Sequence, residues 1–219
     1  MERGLKISLC GCSGMGKTTT MANIALNLKR GIRNKKGELV CEPKKVLIVP
    51  LETGHISYID IMVSILIKEK MEEEMDENSG VPKSMVGIPL EMLIKKANEI
   101  TEKQDNYIKW ALKELFSDEN LVVTDDPLMT LDDLEIILEE NNFDVCIIDL
   151  WERLSDVELE ANKIAKKLNR TQAIAKAANT HIAIVHQQKR SDSKGKKAKK
   201  PTMDMLKNSG GYEEIADLI

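Results

Sequence analysis

Eight residues near the amino terminus carry the clearest chemistry in this sequence. Gly11-Cys12-Ser13-Gly14-Met15-Gly16-Lys17-Thr18 matches the pattern G-x-x-x-x-G-K-[ST]. Glycines at these spacings let successive backbone N–H groups turn toward one point and wrap an anion. The helix expected to follow adds the partial positive charge of its N-terminus. Ser13, Gly14, Met15, Gly16, Lys17, Thr18 and Thr19 are therefore the candidate nucleotide-binding residues. Lys17 is placed to reach the β- and γ-phosphates, and the Thr18 hydroxyl to ligate Mg²⁺. The implied ligands are the phosphates of a nucleotide and Mg²⁺.

Three further residues stand where they could complete such a site. Cys146-Ile147-Ile148-Asp149 is an apolar run ending in an acid, and a carboxylate there can hold Mg²⁺ through water. Asp144, at the other end of that run, is expected at the far edge, away from the phosphates. Glu52 directly follows the apolar run 46–51. Ligands bind outside the carboxyl ends of parallel strands, so Glu52 projects to the nucleotide side, where it could orient an attacking water or take its proton. The alternative is an ordinary acid before a helix. His186-Gln187-Gln188 follow the run Ile182–Val185, and an amide there can sense whether the γ-phosphate is present; Gln187 is preferred over Gln188. His181 and His186 read as local structural residues, and with His55 they show no metal-ligand spacing.

These residues need a frame that brings chain-distant segments to one edge. Five β-branched runs supply it: 5–10, 46–51, 121–124, 145–150 and 182–185. Their near-continuous apolar character predicts strands buried on both faces, as in a parallel sheet. Helical spacing is read over 18–30, 58–70, two helices within 89–115, 131–139 with Thr130 as N-cap and Asp133 at its third position, and 157–179. Alternating strands and helices predict an α/β P-loop fold with a mostly parallel sheet flanked by helices. Residues 31–45, 70–88 and 189–201 read as loops or insertions.

Composition narrows the function. Aromatic residues make up 3% of the 219, so the core must be aliphatic. That disfavours an all-β sandwich and excludes a nucleic-acid reader built on a platform of stacked rings. Thirty-six acidic residues against 32 basic leave a net charge of −4, which is not that of a globally basic DNA binder. The average hides a basic segment: residues 189–200 carry Lys189, Arg190, Lys194, Lys196, Lys197, Lys199 and Lys200 against Asp192. The four cysteines show no disulfide or metal pattern, Cys10 and Cys146 reading as small core residues. No apolar stretch approaches the ~20 residues of a membrane span, and a cytoplasmic, reduced setting is expected.

Several segments together resemble the ATPase domain of DnaB-type replicative helicases, the hexameric helicases of bacteria and bacteriophages. Residues 13–19 followed by Ala22-Asn23-Ile24-Ala25 are similar to their P-loop and first helix. Residues 46–52 resemble their second strand with its catalytic Glu, 122–127 their third strand and the turn after it, and 147–149 their Walker B strand. Residues 183–190 are similar to the strand carrying their phosphate-sensing Gln. Lys200-Pro201-Thr202-Met203-Asp204-Met205-Leu206-Lys207-Asn208-Ser209-Gly210 resembles their DNA-facing loop. The resemblance implies a RecA-like core, ATP as the nucleotide and an ATP-dependent helicase motor. Glu52, Lys17 and Gln187 would be its catalytic residues, and Thr18 and Asp149 would hold the metal. Single-stranded DNA would meet Arg190, Lys200, Lys207, Asn208 and Gly210, and the full-length protein would form a hexameric ring. The whole chain reads as one such domain, 1–219, without the family's N-terminal domain and last C-terminal strands. A RecA-like ATPase that binds or loads onto DNA without unwinding it is the alternative. A signal-recognition-type GTPase, which shares Gly16-Lys17-Thr18-Thr19-Thr20, is disfavoured because no Thr-Lys-x-Asp guanine reader occurs.

Overall fold

A computed structural model describes residues 6–11, 14–75, 87–95, 100–156 and 161–187. Five strands form one sheet: β1 (Lys6–Gly11), β4 (Val46–Pro50), β5 (Leu121–Val123), β6 (Val145–Asp149) and β7 (His181–Gln187). Their spatial order is β1-β7-β6-β4-β5, and every neighbouring pair is parallel. All five carboxyl ends therefore open on one side. The all-apolar reading of β4 holds: each of its five residues is buried, which requires cover on both faces.

Helices supply that cover. On one face α1 (Lys17–Arg30), α2 (His55–Glu73) and α4 (Glu102–Leu115) pack Leu26, Met62, Leu66 and Leu115 against Val46, Ile48 and Ile147. On the other, α5 (Leu131–Asn141), α6 (Ala161–Ala177) and a short 3-10 turn (Trp151–Arg153) pack Leu134, Leu138, Ile164 and Trp151 against Leu47, Cys146 and Ile184. Successive strand residues thus alternate between two aliphatic cores. Burying one such Leu contributes on the order of 2 kcal/mol. Within the region 89–115 lie α3 (Leu90–Lys95) and α4, the two helices expected there.

The structure corrects three readings. Residues 31–45 are not simply a loop. They hold an antiparallel ribbon, β2 (Ile32–Arg33) with β3 (Leu39–Cys41), closed by a turn in which Gly37 N–H donates to the Asn34 carbonyl at 2.9 Å. Strands of two and three residues leave no periodic signal in sequence. Helix α2 starts at His55 and runs to Glu73, past the expected ends, its last turn laced by Lys70 to Glu73 and Glu74. Strand β7 is longer than its apolar run and includes His181, His186 and Gln187, because these pair in register with β6 and β1.

Candidate active site

Helix α1 begins on a backbone built for an anion. Gly14 and Gly16 have φ of +83° and +79°, with no described residue within 4 Å of where a Cβ would stand. Gly16 is the N-cap and offers no side chain to the first-turn amides, and no acid lies in that turn. The Thr20 hydroxyl is turned back onto the Gly16 carbonyl at 3.0 Å, so it does not serve as a cap. Among the described residues no side chain caps the start of α1, the condition under which a helix N-terminus can receive an anion. Met15 is 64% exposed beside them. Ser13 lies outside the described residues.

Asp149 closes β6 in the opposite condition. It is wholly buried, and neither carboxylate oxygen completes a hydrogen bond among the described residues. Burial pushes its pKa above the ordinary carboxylate value. The Thr18 hydroxyl and the Lys17 ammonium favour the charged form, while Glu52 and Glu152 add repulsion. Lys17, Thr18, Glu52 and Asp149, chosen from separate segments of the chain, therefore share one electrostatic field.

Two backbone features bring Glu52 there. Pro50 of β4 stands opposite Asp149 of β6, and the Glu52 N–H donates to the Asp149 carbonyl at 3.0 Å. Gly54, with φ of +76°, donates its N–H to the Pro50 carbonyl at 3.1 Å and starts α2. This tight turn leaves Glu52 exposed at the end of the sheet. Gln187, the exposed last residue of β7, pairs with Gly11, where the chain leaves β1 for the glycine loop. Val185 pairs with Asp149, so strand alternation puts Gln187 on the Asp149 face and His186 on the other. Asp144 sits at the far edge as expected, its Oδ2 accepting from the Lys45 N–H at 3.0 Å.

The donor set fits a hard cation: a buried carboxylate, the Thr18 hydroxyl beside it and a nearby second carboxylate, all oxygen. Among the described residues no group of three or more His, Cys, Asp or Glu could hold a metal alone. Mg²⁺ is usually bound by one or two protein ligands plus phosphate and water.

Sequence reasoning missed two features of this region. The Tyr58 hydroxyl, in the first turns of α2, is buried without a partner among the described residues. Burial and then the Asp149 charge raise its pKa above the ordinary phenol value. Spacing offered no signal for it, since Tyr58 reads as one more core residue of an amphipathic helix. Glu152 was passed over too, although it stands three residues beyond Asp149. His186, read as locally satisfied, meets Glu152 at 3.1 Å. The Nδ1 of His181 is buried without a hydrogen bond among the described residues. Cys146 is a buried core residue as expected, and the Cys10 side chain lies outside the described set. Arg190, Lys200, Lys207, Asn208 and Gly210 also lie outside it. No described helix is long and apolar enough to cross a membrane.

Comparison with known proteins gives the same frame a relative. A solved structure described as an ATPase domain superposes with a TM-score of 0.74 at 15% identity, covering 100% of this chain and 69% of the other. A second, described as "The Structure Of A DnaB-Like Replicative Helicase And Its Interactions With Primase", superposes with a TM-score of 0.73 at 15% identity. It covers 99% of this chain, which spans 46% of that one. At such identity these likenesses establish the fold, a RecA-like ATPase core. No curated protein matches. The family model "DnaB-like helicase C terminal domain" matches residues 1–219. The chain therefore belongs to the DnaB-like helicase C-terminal domain family, the ATP-hydrolysing motor domain of replicative helicases.

Proposed function

We propose that this protein binds Mg-ATP at the carboxyl ends of β1, β4, β6 and β7 and hydrolyses it to move along single-stranded DNA within a hexameric ring. The observation that carries the reading is the buried Asp149 carboxylate, which shares one electrostatic field with Lys17, Thr18 and Glu52 at the start of a helix that no described side chain caps. Burial still outweighs these partners and raises the Asp149 pKa, so a bound cation would stabilise the carboxylate further.

The chain's own residues divide the work. The backbone of residues 13–19 cradles the phosphates, and the Lys17 ammonium neutralises charge developing on the transferred group. Thr18 and Asp149 would hold Mg²⁺, which when bound neutralises phosphate charge and orients the phosphate oxygens. Glu52, exposed at the turn after β4, would orient the attacking water and accept its proton. Gln187, on the same face as Asp149, would report the state of the γ-phosphate to the segment that follows it.

That segment is the proposed DNA contact. Arg190, Lys200 and Lys207, with the Asn208–Gly210 backbone, offer cations and N–H groups suited to phosphates of any sequence. Affinity should fall steeply with salt. The test is ATP hydrolysis with and without single-stranded DNA. DNA-stimulated turnover that disappears in Lys17→Ala supports the reading, and turnover unchanged in that variant overturns it. A strand-separation assay then distinguishes a motor from an ATPase that only loads onto DNA.

A further inference from the structure

Behind the nucleotide face, a buried His186 and a half-buried Glu152 bridge the two arms that carry Asp149 and Gln187. His186 is 2% exposed, and its ring nitrogen Nδ1 lies 3.1 Å from Glu152 Oε1. A carboxylate can only accept, so Nδ1 is the donor. Glu152 sits in the 3-10 turn that begins two residues after Asp149, and its charge is felt there. Its other oxygen, Oε2, is buried with no hydrogen bond among the described residues. The Glu152 side chain is 21% exposed, so it is one oxygen, not the whole carboxylate, that is shut away from water without a described partner; an oxygen left so is a poor stabiliser of a fold.

The surroundings hold the pair in one geometry. Trp151 stands edge-on to the His186 ring, centroids 6.3 Å apart at 65°. The Trp151 indole N–H donates to Thr171 Oγ1 of α6 at 3.1 Å, and the Thr171 hydroxyl donates to the Lys167 carbonyl at 3.0 Å. The turn after Asp149 is thereby anchored to α6. On the other side, His186 pairs in register with Cys10 of β1 and immediately precedes Gln187. Adjacent side chains on a strand point to opposite faces. Any shift of the β7 end that moves Gln187 relative to a phosphate must also move His186 against Glu152.

We propose that Glu152 and His186 form a positioning pair that couples the phosphate-sensing end of β7 to the metal-holding end of β6. Neither side chain touches nucleotide. Together they set the distance between Gln187 and Asp149. This rests on the roles of Asp149 and Gln187 proposed above.

The test compares His186→Ala, Glu152→Ala, the double variant, His186→Asn and Glu152→Gln in DNA-stimulated ATP turnover. An Asn amide can place a donor near the position of Nδ1, and Gln keeps an acceptor at Oε1. The expected result is a fall in kcat of about tenfold for each Ala variant, with KM for ATP changed less than about twofold. The double variant is no worse than either single one, and His186→Asn and Glu152→Gln recover most of the loss. Turnover equal to the parent in both Ala variants, additive losses, or losses that the Asn and Gln variants do not recover would overturn the pairing.

A second readout is independent of turnover. Trp151 abuts His186, and with Trp110→Phe it is the remaining tryptophan. Its emission is expected to differ between a non-hydrolysable ATP analogue and ADP, and to lose that difference in His186→Ala while both nucleotides still bind. A difference that persists in His186→Ala contradicts the coupling. If instead Lys17→Ala leaves turnover intact, the site reading fails; if Lys17→Ala abolishes turnover and the pair variants do nothing, only the pairing fails.

Discussion

Helices α1 and α5 both begin after strands of the same parallel sheet, yet they start in opposite ways. At α5 Thr130 and Asp133 form a complete capping box: the Asp133 N–H donates to Thr130 Oγ1 at 3.1 Å, and the Thr130 N–H donates to Asp133 Oδ2 at 2.9 Å. Two acids, Asp132 and Asp133, stand in that first turn. At α1 the cap is Gly16, no side chain closes the turn, and the turn holds no acid. A capped helix satisfies its own orphan donors and meets its dipole with its own carboxylates. An uncapped one leaves both for something else. The contrast separates a helix start that serves stability from one that serves an anionic ligand, and it can be broken from either side.

The largest effect should come from removing the cation that works with the open start. Lys17→Ala is expected to reduce ATP turnover on the order of 10²-fold or more, with the unfolding midpoint little changed. Steady-state hydrolysis and thermal melts check both halves.

Next comes closing the open start. Thr19 holds the third position of α1, the position Asp133 holds in α5. Thr19→Asp should complement the helix dipole and stabilise the nucleotide-free protein by roughly 0.5 kcal/mol. It should also weaken ATP by about tenfold or more through repulsion of phosphate. Titration with a fluorescent ATP analogue reads the second effect, and tighter binding would refute the proposed anion site.

Asp149→Asn tests the same trade at the metal-holding end. Burial raises the Asp149 pKa in the folded state, so ionising it costs stability as pH rises through the carboxylate range. The Asn variant should therefore melt a few degrees higher than the parent at neutral pH. That advantage should vanish at pH below the ordinary Asp value, where both side chains are neutral. Mg²⁺-dependent hydrolysis should be lost. A lower melting temperature at neutral pH would contradict the reading of Asp149 as a strained carboxylate.

The smallest effect belongs to the closed start. Thr130→Ala should cost about 1 kcal/mol of stability and leave KM for ATP unchanged. The hydrogen bonds from Thr130 hold the Asp133 pKa below its ordinary value. Their contribution is therefore present above the ordinary Asp pKa and lost as pH falls through the lowered one. Urea melts across acid pH follow it.

The comparison also shows what a sequence makes legible. The open start at α1 is written in a contiguous pattern of glycines, Lys17 and Thr18, and the closed start at α5 in Thr130 and Asp133. Both are local, so both were readable. The central strands β4, β6 and β7 were readable because each is an apolar run that the fold buries; β5, at the sheet edge, is shorter and leaves Val122 exposed. The proximity of Glu52 and Gln187 to Asp149 could be expected from strand ends, yet their sharing one face depends on register, which pairs Pro50 with Asp149 and Asp149 with Val185. Tyr58, Glu152 and His186 were not readable. Their significance is a contact or an orphaned atom across the sheet, and no spacing along the chain encodes that. The β2–β3 ribbon escaped for a different reason: its strands are held by backbone pairing and leave Ile32, Leu39 and Val40 exposed, so no periodic burial marks them.

The central claim is that the carboxyl ends of these parallel strands form one ATP-hydrolysing site in which Glu52 handles the water. The most direct measurement is paired nucleotide binding and single-stranded-DNA-stimulated hydrolysis in Glu52→Gln. The account predicts ATP affinity within about threefold of the parent and turnover reduced on the order of 10²-fold or more. Turnover close to the parent with ATP still bound would contradict it.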